Sequence, residues 1–158
     1  MTDEIIVKVA ENEQDFLDAK ALILEYVTWL NVDLSFQNFD QEMATLKEMY
    51  SKPTGALFLA MSNNKAIGVV GLRKFSDKEC EIKRMFVQPN NRGLGIGKLL
   101  ITNCIATAKV LKYDTLKLDT INLMKSAIKL YKENGFKEIP AYRFNPDAGA
   151  RYFELNLQ

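Results

Sequence analysis

Residues 88–98 read QPNNRGLGIGK, from Gln88 to Lys98. A β-rich run, ECEIKRMFV (79–87), leads into this stretch, and Pro89 ends it because proline cannot donate to a ladder. Beyond it, Ile96, Leu99, Leu100, Asn103, Thr107 and Val110 recur at helical spacing and predict about four turns of helix. Three glycines alternate between Arg92 and Lys98 at the mouth of that helix. First-turn amides have no intrahelical acceptor, the helix dipole is positive there, and glycine lets an anion approach the backbone. The stretch therefore predicts a site for a phosphate-bearing ligand. A Walker loop is excluded, since Arg92 and Leu99 stand where glycine and Ser/Thr are needed. A dinucleotide fingerprint is excluded as well, because Lys98 occupies the place of its third glycine.

Working outward, the chain alternates strands and helices. EIIVKVA (4–10) is β-rich; Asn12 is placed to cap a helix to about Leu30, with Phe16, Ile23, Val27 and Leu30 on one stripe. A second helix is predicted over Asp40–Tyr50, stopped by SKPTG (51–55). ALFLAMS (56–62), KAIGVVGLRKF (65–75) and ECEIKRMFV form an antiparallel meander, with a tight turn at Asn63-Asn64. After the glycine loop and its helix come a strand, TLKLDT (115–120), and a short helix over Met124–Asn134 with Gly135 as its left-handed stop. Two closing strands near 136–139 and 151–157 flank the loop PAYRFNPDAG (140–149). The prediction is a single α/β domain over 1–158, with a mainly antiparallel central sheet of six to seven strands flanked by helices.

Composition narrows the chemistry. Among 158 residues, 21 Lys and Arg face 20 Asp and Glu, a net charge of +1, so no global field draws the chain to nucleic acid or a membrane. Histidine is absent, which excludes His-based triads and His-rich zinc sites, and no metal is expected. Cys80 and Cys104 lack metal-type spacing and fit a reducing, cytoplasmic setting as core residues. The N-terminal stretch lacks the basic start and apolar core of a signal peptide, and no apolar run reaches bilayer length.

The pattern Arg92-Gly93-Leu94-Gly95-Ile96-Gly97 is R-x-x-G-x-G in outline and resembles the acyl-CoA-binding motif of the GNAT superfamily of N-acetyltransferases. EIKRMFVQP resembles the family's fourth strand. LDTINLMKSAIKLYKENGF is similar to its later block, with Ala127-Ile128-Lys129-Leu130-Tyr131 and Gly135-Phe136 in order. The ending FNPDAGARYFELNL is similar to the tail of many bacterial members. The resemblance covers most of 55–157; residues 12–50 match only in type.

The resemblance implies direct transfer of an acetyl group from acetyl-CoA to an amine. It places coenzyme A on Met85, Phe86 and Val87 of the fourth strand, on the loop Arg92, Gly93, Leu94, Gly95, Ile96, Gly97 and Lys98, and beside Tyr131. Met85 and Val87, two apart, turn their backbone groups to one side for pairing with an amide-rich arm. Tyr131 is the candidate acid for the leaving thiolate, with a plain core tyrosine as the bland reading. Glu81 is the candidate base, expected to share a face with Met85 four residues on. Glu79, a structural ion pair of Glu81 with Lys83 or Arg84, and a water chain are the alternatives. Met124 replaces the asparagine usual in the family. Trp29, Phe36, Glu81, Tyr142, Arg143 and Asn145 are expected to build the acceptor side, with Arg143 able to bind an acceptor carboxylate bidentately. A small-molecule amine is the expected acceptor; a protein or peptide amine, or a non-catalytic acyl-CoA-binding role, are the competing readings. A homodimer is consistent with the family, though no stripe announces an interface.

Overall fold

A computed structural model describes residues 4–31 and 38–158. The elements run β1 (Ile5–Val9), α1 (Glu13–Leu30), α2 (Phe39–Ala44), α3 (Leu46–Met49), β2 (Ala56–Ser62), β3 (Lys65–Lys74), β4 (Glu79–Val87), α4 (Ile96–Val110), β5 (Thr115–Ile121), α5 (Lys125–Glu133), β6 (Lys137–Ile139) and β7 (Ala150–Asn156). A short 3-10 turn, Pro89–Asn91, sits between β4 and the glycine loop.

Local chemistry sets the ends. Asn12 accepts the Asp15 amide, and the Asp15 side chain accepts the Asn12 amide in return, a capping box at the head of α1. Asn63 and Asn64 take φ of 51° and 63°, the double left-handed conformation of a two-residue hairpin turn. The helix predicted over 40–50 is instead two short helices. Thr45 breaks it, leaving helical geometry while its hydroxyl turns back onto the Gln41 carbonyl.

Seven strands form one sheet in the order β1-β2-β3-β4-β5-β7-β6, antiparallel everywhere except at β4–β5. The mixed α/β architecture matches the expectation from sequence. One face is covered by α4 and α5, with Phe58, Val70, Leu72, Ile82 and Leu116 packing beneath Leu100, Ile101 and Ile128. The other face is covered by α1–α3, with Leu57, Leu59, Val69 and Phe86 beneath Ile23, Leu46 and Tyr50.

β4 is irregular in two ways that make the site. Val69 pairs with Phe86 and Gly71 with Lys83, so the single residue Val70 opposes both Arg84 and Met85. This is a β-bulge, with Arg84 in the left-handed region at φ 61°. The extra residue reverses the alternation of side chains. Cys80 and Ile82 face the α4 layer, and so does Met85, while Phe86 faces the α1 layer. The expectation that Glu81 and Met85 share a face is therefore corrected: strict alternation across four residues fails because the bulge lies between them.

The second irregularity is on the other edge. β4 pairs with β5 only at Glu79, Cys80 and Glu81. From Ile82 onward the two strands diverge, because a bulged strand bends and twists away from its neighbour. The cleft between them is the feature on which the site is built.

The bulge also brings Arg84 to buried Glu42 of α2, with Nε–Oε2 of 3.0 Å and Nη2–Oε1 of 2.8 Å; the Tyr50 hydroxyl donates to the same carboxylate at 3.0 Å. Burial alone would raise the Glu42 pKa, but the Arg84 hydrogen bonds and charge outweigh it and hold the carboxyl below its ordinary 4.5. Its stabilising contribution is complete above that value and is lost as the pH falls below it. Glu42→Ala strands a buried guanidinium and should cost about 3–5 kcal/mol, read as a lowered midpoint in urea unfolding.

Candidate active site

A groove of about 520 Å³ runs from the glycine loop along the end of β4 to α5, lined by Met85 and Val87 of β4, Arg92 and Gly95 of the loop, Trp29 of α1 and the start of α5. Two helix N-termini converge on it. In α4 the first intrahelical bond runs from the Leu99 amide to the Gly95 carbonyl at 3.2 Å, and no side chain caps the helix. The amides of Ile96, Gly97 and Lys98 are therefore unspent. α5 likewise has no side-chain cap, and its first i→i−4 bond starts at Ile128, so the amides of Ser126 and Ala127 are open as well. Two positive dipole ends and a row of free donors make this groove an anion site by construction.

The glycines have separate reasons. Gly93 and Gly95 hold φ of 81° and 79°, and a Cβ on either would meet nothing within 4 Å, so both border open space. Gly97 is helical, and a Cβ there would come within 3.0 Å of Leu130 of α5. Close approach of α4 and α5 is what places both N-termini on one groove.

Arg92 is held in position. Its Nε donates to the Val87 carbonyl at 3.0 Å, and its guanidinium lies 4.6 Å from the Trp29 ring centroid and 5.7 Å from that of Phe86. Gln88 donates its backbone amide to Ile67 of β3. By alternation, Met85 and Val87 turn their own backbone groups to the opposite edge, where no strand pairs with them and the Val87 carbonyl accepts Arg92.

A second, smaller cavity of about 70 Å³ continues the groove; Met85 and Met124 line both. Its walls include Tyr26, Lys83, Asp119, Tyr131 and Asn145. Tyr131 is 5% exposed and packs against Phe136 and Phe153, with ring centroids at 5.7 and 6.4 Å. Its hydroxyl has no hydrogen-bond partner among the described residues. Burial pushes its pKa up, so it stays a neutral O–H donor. Tyr26 packs against Phe86 with tilted rings and centroids 5.5 Å apart, and burial raises its pKa in the same way.

The Lys83 ammonium meets Asp119 Oδ1 across the cleft at 3.2 Å, with both side chains 4% exposed. Burial lowers the Lys83 pKa. Burial would raise that of Asp119, but the Lys83 charge and hydrogen bond hold it down.

The remaining predicted residues are distributed as follows. Phe86 also lines the groove, while the side chains of Leu94 and Lys98 are exposed at its rim. Trp29 lines the coenzyme side of the groove, beside Arg92, rather than the acceptor side. Phe36 lies outside the described residues. Asn145 lines the small cavity, donating to Asp119 Oδ2 at 3.2 Å.

Glu81 is fully buried but lines neither the groove nor the cavity. Its Oε1 takes Arg143 at 2.6 Å and lies 3.5 Å from Arg73, and its Oε2 accepts the Tyr142 hydroxyl at 2.7 Å. The bulge and these partners place it as the anchor of the β6–β7 loop, not as a base beside Met85; its partners are Arg143 and Arg73, not Lys83 or Arg84. Arg143 Nη2 is paired with Glu81, its buried Nε has no partner among the described residues, and Arg143 lines neither the groove nor the small cavity, so it is not placed to meet an acceptor carboxylate there. Glu81→Gln should lower stability by about 1–3 kcal/mol in urea unfolding while leaving acetyl-CoA affinity unchanged, because it removes one charge from a buried pair remote from the groove. Tyr26, Lys83 and Asp119 also stand on the cavity wall, where the sequence did not announce them; the one available signal was the run of charges in EIKR, an odd composition for a central strand.

A family model for the acetyltransferase (GNAT) family matches residues 23–136. The chain belongs to the GNAT family of acetyltransferases. It is 35% identical over 155 residues to an uncharacterized N-acetyltransferase of Schizosaccharomyces pombe, covering 97% of this chain and 95% of that one. It is 33% identical over 100 residues to the N-acetylaspartate synthetase of Danio rerio, which spans 62% of this chain and 36% of that protein. The crystal structure of a GNAT-family acetyltransferase from Staphylococcus aureus Mu50 superposes with a TM-score of 0.82 at 26% identity, over 98% of this chain and 100% of that one. As a GNAT member the protein is an acyltransferase, and the family's cosubstrate is acetyl-CoA. The two open N-termini, the glycines bordering free space and the unpaired edge of β4 fit its pyrophosphate and its amide-bearing arm. Both thiols are buried, and burial pushes Cys80 up to about 12, so neither is placed to carry an acyl group.

Proposed function

We propose that this GNAT enzyme transfers an acetyl group from acetyl-CoA directly to the primary amine of a small acceptor. The observation that carries the reading is the continuity of a groove with free anion donors at one end and a small, polar, walled cavity at the other, with Met85 common to both. Bound acetyl-CoA supplies the thioester that the amine attacks. The first-turn amides of α4 and α5 hold phosphate oxygens, with Arg92 adding charge. Met85 and Val87 offer main-chain groups along the unpaired edge, and the Met85 amide is placed to hold the developing oxyanion. Tyr131 donates its proton to the leaving sulfur and is restored by the second proton that the acylated nitrogen gives up. Glu81 is too far committed to its own partners to receive the amine's proton, which is assigned to water in the cavity.

A walled cavity of about 70 Å³ favours a small molecule over a peptide, which needs an open trough. The Danio rerio relative is named for an acetylated amino acid, in keeping with such an acceptor. Two free buried thiols fit a reducing compartment such as the cytoplasm. The test is isothermal titration with acetyl-CoA and, separately, with NAD. Saturable binding of acetyl-CoA alone is the expected result; no binding of acetyl-CoA to folded protein would overturn the reading.

A further inference from the structure

The Lys83–Asp119 pair is unusual in its incompleteness. A lysine ammonium has three donors. Lys83, whose side chain is 4% exposed, makes one hydrogen bond among the described residues, to Asp119 Oδ1 at 3.2 Å. A buried ammonium with unspent donors is costly unless something else completes its shell. Of the other two charges at this cavity, one is paired with an opposite charge and the other accepts a backbone amide. Arg84 is held bidentately by Glu42. Asp147 accepts the Gly149 amide at 2.7 Å within its own loop. Tyr26 and Tyr131, whose hydroxyls have no partners among the described residues, share the cavity wall with Lys83 and Asp119.

We infer that the Lys83–Asp119 pair is the acceptor's docking group and selects a zwitterion, a small free amino acid carrying both an ammonium and a carboxylate. The inference rests on the acetyltransferase reading and names its substrate class. An amino acid exchanges partners with the pair: its carboxylate takes the Lys83 ammonium, and its ammonium takes Asp119. Every buried charge stays paired and the net charge of the cavity is unchanged. A simple amine does neither. It arrives as a cation beside Lys83, is repelled, and leaves the ammonium of Lys83 unsatisfied, so the same residue that attracts the right acceptor rejects the wrong one. The small volume of the cavity restricts the class to short side chains. Lys83 and Asp119 are here specificity-determining residues; the chemical step does not pass through them.

The test is calorimetric titration of L-serine against ethanolamine, and of L-alanine against ethylamine, into free and coenzyme A-loaded protein. The amino acid in each pair is expected to bind about 30-fold more tightly than its decarboxylated counterpart, the scale of one charge-assisted hydrogen bond. A neutral double variant, Lys83→Met with Asp119→Leu, avoids stranding a buried charge and is expected to fold. In it the preference should shrink to within about threefold, the amino acid losing affinity while the amine does not. Equal binding of L-serine and ethanolamine by the parent, or a preference kept by the double variant, overturns the inference. If acetyl-CoA fails to bind, the acetyltransferase reading falls separately, and the titrations into free protein still judge the pair.

Discussion

A Gly95→Glu variant is expected to fold as the parent does and to bind acetyl-CoA at least about 100-fold more weakly, since like-charge juxtaposition costs several kcal/mol and each 1.4 kcal/mol is tenfold. Gly95 sits at φ 79°, and a side chain there would meet no protein atom within 4 Å. Forcing a non-glycine residue into that conformation costs about 1–2 kcal/mol, too little to unfold a domain of this size. The new carboxylate reaches into the groove where the amides of Ile96, Gly97 and Lys98 are open, accepts from them and repels a pyrophosphate. Calorimetric titration reads the loss directly. Gly95→Ala separates the causes: it carries the same backbone strain without the charge and should retain most of the affinity.

The second large effect falls on turnover. Tyr131→Phe should lower kcat on the order of 100-fold, the lower end for loss of a positioned proton donor, with the Kd for acetyl-CoA unchanged. The ring is expected to stay in place, because its neighbours Phe136 and Phe153 contact the ring rather than the hydroxyl. An unchanged kcat would make Tyr131 a core tyrosine and leave protonation of the sulfur to water.

The glycine loop, the helix starting at Ile96 and the strand over 79–87 were legible to the residue, because Pro89, the alternating glycines and the periodicity of Ile96–Val110 each have a local cause. The cap at Asn12 and the Asn63-Asn64 turn were equally local. The bulge at Arg84 was not legible. It is enforced by tertiary contacts, a bidentate clamp from Glu42 some forty residues earlier and the register with β3, and arginine carries no turn signal of its own. That one residue misdirected the reading of Glu81, since alternation counted through a bulge puts every later side chain on the wrong face. The divergence of β4 from β5 follows from the same irregularity, and with it the cavity that gathers Tyr26 from α1, Lys83 from β4 and Asp119 from β5. Residues brought together from three separated elements leave no spacing in a sequence. Arg143 and Tyr142 were expected on the acceptor side, but their partner is a buried carboxylate of the protein, Glu81.

One measurement reaches the centre of the account: incubation of the protein with acetyl-CoA and a mixture of free amino acids and simple amines, with release of the thiol followed and the products identified by mass spectrometry. The account predicts thiol release in step with formation of an N-acetylated small amino acid, both abolished by Gly95→Glu. Thiol release no faster than spontaneous hydrolysis with every amine present, by protein that binds acetyl-CoA, would contradict it and leave this groove as a site that holds the cofactor without using it.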